Sequence, residues 1–245
     1  MIENVLNEIK EGLLNLAPEL TEEKKSRMYK IINPDITEYK ILGVKTADNE
    51  KLIRDIHKKY NLSYEMAKKV FQELCILNME ECKFAAFFFI NRYKKKFNES
   101  ILEFFRTEYF SHCHTWSTCD SCCIRVLGPF LAKDPQIART TIDSWSKDPN
   151  YWIKRASLVL NLKIIMINKD FDETYVLKQV EQMLHFSSEP YIEKAIGWLL
   201  KTCTNYKPNV IIQYLSENKQ KLSRLILRYA SEKLTLEVKA KIIDK

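Results

Sequence analysis

Glycine is scarce in this chain, with 4 residues in 245, and there are only 7 prolines. A protein of hairpins and tight turns needs many positions that only glycine occupies easily, so the scarcity argues against an all-β architecture. Long hydrophobic runs are missing too. The opening MIENVLNEIKEGLLNLAPEL interleaves charge with leucine and isoleucine, and CKFAAFFFINRYKKKF is too short and too flanked by charge to cross a bilayer. Neither a signal peptide nor a membrane span is expected. The expected location is the cytoplasm, where the 7 cysteines, an odd number, stay reduced.

What is present is a soluble composition. A hydrophobic fraction of 46% and a charged fraction of 29% suit a chain with a substantial buried core. The formal charge is +7, from 39 basic and 32 acidic residues, and the basic excess lies beyond residue 50. A basic surface suits a polyanionic partner. Lysine-rich helices merely coated with solvated charge give the same balance, so charge alone does not decide function.

Apolar residues recur at steps of three and four in IENVLNEIKEGLLNL, NEKLIRDIHKKY, SYEMAKKVFQEL and ETYVLKQVEQML, the spacing of amphipathic helices. Breaks are expected at LAPELTEE, INPD, TADNE, NLS, KDPQ, KDPN, NKDFDE, SSEP, NYKPN and SENKQ. Several place Ser, Thr, Asp or Asn just before the next periodic run, where a side-chain oxygen can satisfy the free amides of a helix start. The intervals predict helices of about 11 to 17 residues, falling into antiparallel pairs with a repeat of ~40 residues. The expected fold is therefore all-α, either a solenoid of stacked pairs with a concave binding face or a compact bundle without a groove.

One segment is unlike the rest: HCHTWSTCDSCC, residues 112–123. His112, Cys113, His114, Cys119, Cys122 and Cys123 are competent zinc ligands, and Cys119-x-x-Cys122 has the spacing of half a zinc knuckle. The other half is missing, because no distant Cys-x-x-Cys exists to complete a site. Redox chemistry of the thioredoxin type requires a strand–helix–strand context that the chain lacks. The thiols read as small buried apolar groups and no metal is expected. With a helix beginning near Thr115, Trp116 and Asp120 project from one side. An aromatic face beside a carboxylate can hold a cationic ring, although a half-buried Trp next to a surface Asp gives the same spacing.

Further along, WSKDPNYWIKRASLV sets Arg155 after Lys154 at the front of an apolar helix, and PYIEKAIGWLL places Lys194 four residues before Trp198. With TWSTCDSCCIRVLG, the N-terminal RMYKII followed by LGVKT, and the closing LSRLILRYASEKL, these pieces resemble the AlkD-like family of DNA alkylation repair glycosylases. They run in family order from about residue 25 to the end.

The resemblance implies one HEAT-like repeat domain over residues 1–245, a right-handed superhelical solenoid of about six to seven helical pairs with a concave basic groove for duplex DNA. It implies that Trp116, Asp120 and Trp198 hold the alkylated nucleotide and that Arg155 grips backbone phosphate, with Lys154 and Lys194 adding charge. Lys45 and Thr46 in LGVKT become phosphate contacts, and Tyr29 a further DNA contact. Ala47 stands where the family commonly has proline. The implied activity is excision of cationic purines, such as 3-methyladenine and 7-methylguanine, by a monomer needing no cofactor. A noncatalytic scaffold that binds nucleic acid or protein through the same face is the alternative.

Overall fold

A computed structural model describes residues 1–243. Their regular structure is helical, apart from one isolated parallel bridge between Lys40 and Met79. The all-α expectation holds. The chain divides into two compact units, Met1–Cys122 and the remainder from Cys123.

The first unit contains α1 (Ile2–Leu16), α2 (Glu22–Ile32), α3 (Thr46–Tyr60), α4 (Tyr64–Cys75), α5 (Glu80–Asn91), α6 (Ser100–Glu108) and α7 (Trp116–Cys122). Helix α3 packs on both α1 and α5, and α4 packs on α1 and α5. Contact between every second helix is how successive helical pairs stack into one core. The α5 sequence EECKFAAFFFIN has almost no polar face, and its residues Glu80 to Ile90 are all buried. A helix apolar all round belongs at the centre of a core. Phe71, Phe105 and Tyr109 gather beside it in edge, stacked and tilted ring contacts, with Tyr109 edge-on to Phe87 of the helix.

The second unit opens with a π-helical turn, Cys123–Leu127, running directly into α8 (Gly128–Leu131). It continues through α9 (Pro135–Trp145), α10 (Tyr151–Asn168), α11 (Glu173–Leu184), α12 (Pro190–Thr204), α13 (Pro208–Asn218), α14 (Arg224–Ala230) and α15 (Leu236–Ile243). Here α10, α12 and α14 stack in order, with α9, α11 and α13 against their neighbours. At Gly197 an added Cβ would lie 2.8 Å from the Tyr229 Cβ, so glycine permits the close approach of α12 to α14.

Most helix starts follow the expected chemistry. Thr21, Ser63, Asp134, Asn150, Asp172 and Ser223 each accept a backbone N–H of the following turn, and proline occupies the first turn of α9, α12 and α13. TADNE departs from expectation: it is not a break but the first turn of α3. The helix expected near Thr115 begins at Trp116 but widens into the π turn at Cys123, a distortion periodicity does not reveal.

Candidate active site

In the first unit, Trp116 opens α7 and Asp120 lies one turn later. Asp120 is 6% exposed and Trp116 half-buried. The indole Nε1 donates to the Ile31 carbonyl at the end of α2, 2.9 Å away, which fixes the plane of the ring.

The start of α7 is clamped from beneath. Thr115 Oγ1 accepts the Thr118 N–H at 3.2 Å, acting as the cap, and donates to the Glu80 carboxylate at 3.0 Å. Tyr39 Oη donates to the same carboxylate at 2.9 Å, Ser117 donates there as well, and Tyr109 Oη donates to the Thr118 carbonyl at 3.2 Å. Glu80 therefore ties α5, the segment before α3 and the first turn of α7 into one polar knot. Burial pushes its carboxyl up to about 7, with the three hydroxyl donors opposing the rise. Burial, reinforced by that carboxylate, drives the Tyr39 phenol far above its ordinary range.

Glu81 accepts the Leu42 N–H at 3.0 Å and the Gly43 N–H at 2.8 Å, which holds LGVKT in place. Gly43 has φ +83°, a conformation glycine adopts without strain. Lys45 is exposed just before α3 and Thr46 is its first residue, half-buried; no side chain caps this helix. Tyr29 donates its phenol inward to the Tyr39 carbonyl at 2.7 Å.

The cysteines sit in the core. All seven are free thiols and all are buried, as the packing reading requires. Burial raises Cys113 and Cys122 well above the ordinary thiol range, against the direction a nucleophile needs. His114 stacks edge-on against Tyr39 at 5.6 Å, and its carbonyl accepts from Asn33. Burial also holds His112 and His114 below the usual imidazole range.

In the second unit, Asn150 caps α10 by accepting from Trp152 at 2.8 Å, which sets the turn carrying Lys154 and Arg155. Arg155 is 4% exposed, and its Nη1 donates to the Tyr191 carbonyl in the first turn of α12. Tyr191, Lys194 and Trp198 follow at i, i+3 and i+7, along one side of α12. Trp198 is half-buried and packs against the unit's core. Lys194 Nζ lies 5.3 Å from the Tyr191 ring and Lys154 Nζ 4.6 Å from the Phe186 ring, both within cation–π range.

The first unit thus carries Trp116 and Asp120 on the helix whose start is tied to Glu80, Tyr29 bonded to the Tyr39 carbonyl, and Thr46 at the start of α3 with Lys45 exposed beside it; the second carries Lys154 and Arg155 on α10 and Lys194 and Trp198 on α12. Sequence reasoning missed Glu80, Tyr39 and Thr115. The available signal was a pair of glutamates opening a helix with no polar face, but acids in a first turn ordinarily face solvent and stabilise the helix dipole from there.

A solved structure described as a predicted DNA alkylation repair enzyme from Enterococcus faecalis shares the fold at TM-score 0.72 and 17% identity, covering 90% of this chain and 99% of that one. The family model described as DNA alkylation repair enzyme matches residues 9–234. This chain belongs to that family. No curated protein matches it.

Proposed function

We propose that the protein is a DNA glycosylase that releases cationic alkylated purines, of the 3-methyladenine and 7-methylguanine type, from duplex DNA by hydrolysing the N-glycosidic bond. The observation that carries this reading is Asp120, 6% exposed and one turn from Trp116 on a helix whose start is fixed by Thr115 and Glu80. A carboxylate kept from water exerts more electrostatic influence than one on the surface, and a clamped helix holds it without reorganisation.

Alkylation at N3 or N7 leaves the purine positively charged, so the bond to the sugar is already weakened and needs little acid assistance. The remaining demand is stabilisation of the sugar as it becomes cationic. Asp120 supplies negative charge there and orients the attacking water, as carboxylates do for oxocarbenium-like transition states in glycoside hydrolysis. Trp116 attracts the same charge through its ring face, about 1–2 kcal/mol when desolvated, and Trp198 offers a ring face of its own to the DNA. Arg155 contacts backbone phosphate, with Lys154, Lys194, Lys45, Thr46 and Tyr29 contributing along the strand. The protein acts as a monomer without a metal.

The test is release of methylated bases from duplex DNA by metal-free protein. Asp120→Asn should slow release about 10²–10³-fold while duplex binding persists. Undiminished release by that variant removes Asp120 from the mechanism. Duplex binding without any release by the native protein makes it a noncatalytic scaffold instead.

A further inference from the structure

A second feature of the first unit borders Thr46 and Glu80 but includes neither Asp120 nor Trp116. Between α2, the segment leading into α3, α5 and the first turn of α7 lies a cleft of about 160 Å³. Its walls are apolar, formed by Met28, Ile32, Ile41, Val44 and Phe84. Its polar lining is different in character: Asn49, Glu80, Glu81, Thr46 and Ser117. Ser117 already donates to Glu80, so the carboxyl groups and the Asn49 amide oxygen leave this end rich in hydrogen-bond acceptors.

Asn49 carries the second observation. It is 1% exposed; its Nδ2 donates to the Glu81 carbonyl at 2.9 Å, while its Oδ1 has no hydrogen-bond partner. Leaving a buried amide oxygen unsatisfied costs on the order of 1–3 kcal/mol, and such groups are uncommon in native proteins. Asn49 lines a cleft whose size resembles a cavity of roughly 150 Å³ known to accept one benzene ring. A ligand matching this lining has a flat apolar body and N–H donors at one edge.

We propose that this cleft is a binding site for a free amino-substituted heterocycle, an aminopurine or aminopyrimidine base, whose exocyclic amine donates to Asn49 Oδ1 and the Glu80 carboxylate while its ring lies among Met28, Ile41, Val44 and Phe84. The site is separate from Asp120 and does not require that base release occur. Helix α7 touches both places, presenting Ser117 to the cleft beside Trp116. A base seated there bears on the helix that carries the proposed catalytic carboxylate.

The experiment is calorimetric titration of the whole protein with free adenine and with hypoxanthine, which has nearly the same shape but presents a carbonyl oxygen where adenine has its amine. Adenine should bind at least tenfold more tightly than hypoxanthine. Asn49→Leu, similar in volume but without the acceptor, should abolish that preference, and Val44→Phe, which fills the cleft from a half-buried position, should abolish binding. The second variant keeps the test decisive should Asn49→Leu fail to fold. Absence of adenine binding up to about 10 mM, equal affinity for the two bases, or unchanged affinity in Val44→Phe would overturn the proposal. Because no turnover is measured, these outcomes are independent of whether the protein proves to be a glycosylase.

Discussion

Replacing Glu80 with glutamine changes the pH dependence of stability in a way that can be worked out from its surroundings. In the unfolded chain this carboxyl ionises around its ordinary value of 4.5; in the fold, burial pushes it up to about 7. Each tenfold change in proton affinity is worth about 1.4 kcal/mol, so the difference couples roughly 3 kcal/mol to folding. Below pH 4.5 both states hold the proton and the full contribution is present. As pH rises towards 7 the unfolded state ionises first and is favoured, so this contribution is lost, and above 7 the loss is complete. Glutamine carries no proton to lose. Urea unfolding of native protein and Glu80→Gln at pH 4.5 and about pH 8 should therefore show the variant gaining roughly 3 kcal/mol relative to the native protein at the higher pH. Burial holds His57, His112 and His114 below the imidazole range, which produces the opposite trend, stability lost as pH falls. They are present in both proteins and cancel in the comparison. A stability difference that stays constant across this range, within about 0.5 kcal/mol, would refute the burial account of Glu80.

The other perturbations separate structural from functional roles. Arg155→Ala should cost about 1–3 kcal/mol by leaving the Tyr191 carbonyl without its donor, and should lower the slope of log affinity for DNA against log salt by about one; a slope equal to that of the native protein rules out phosphate contact. Cys119→Ser with Cys122→Ser places hydroxyls at fully buried positions, so denaturation should show a loss of about 1–3 kcal/mol per site while base release per folded molecule is spared. Gly197→Ala should cost about 1–3 kcal/mol in thermal unfolding, since the new methyl meets Tyr229 Cβ at 2.8 Å.

The legible parts of the fold were those set by local chemistry. The Ser, Thr, Asp and Asn caps and the prolines at 135, 190 and 208 each do what their side chains dictate within one turn of sequence, so helix starts could be read directly. Trp116 and Asp120 were legible as a pair because one helical turn fixes their shared side. The Glu80 knot was not, because it assembles Tyr39, Glu80, Thr115 and Ser117 from three places in the sequence, and only packing brings them together. The burial of Arg155 was invisible for the same reason. The resemblance assigns it to phosphate, and nothing local in the sequence shows that the stacking of α10 on α12 also brings its guanidinium to the Tyr191 carbonyl.

Tyr29 poses the sharpest question about that division between support and contact. Helix α2 contributes no buried residue, unlike α3 and α5, and is held largely by polar ties: Tyr29 Oη to the Tyr39 carbonyl at 2.7 Å, Asn33 to the His114 carbonyl at 2.7 Å, and Trp116 Nε1 to the Ile31 carbonyl at 2.9 Å. Each such bond is worth only about 0.5–1.5 kcal/mol net, so α2 should open locally at much lower cost than global unfolding. Its amides should therefore exchange with deuterium well before those of α5, and Tyr29→Phe should speed α2 exchange a further few-fold while leaving the global unfolding midpoint nearly unchanged. Exchange in α2 as slow as in α5 would show that the three ties are not what holds it. The same variant resolves the role proposed for Tyr29 on DNA. A hydroxyl that only anchors α2 can be lost with no change in the salt dependence of duplex affinity, whereas one that reaches phosphate weakens binding of every sequence alike.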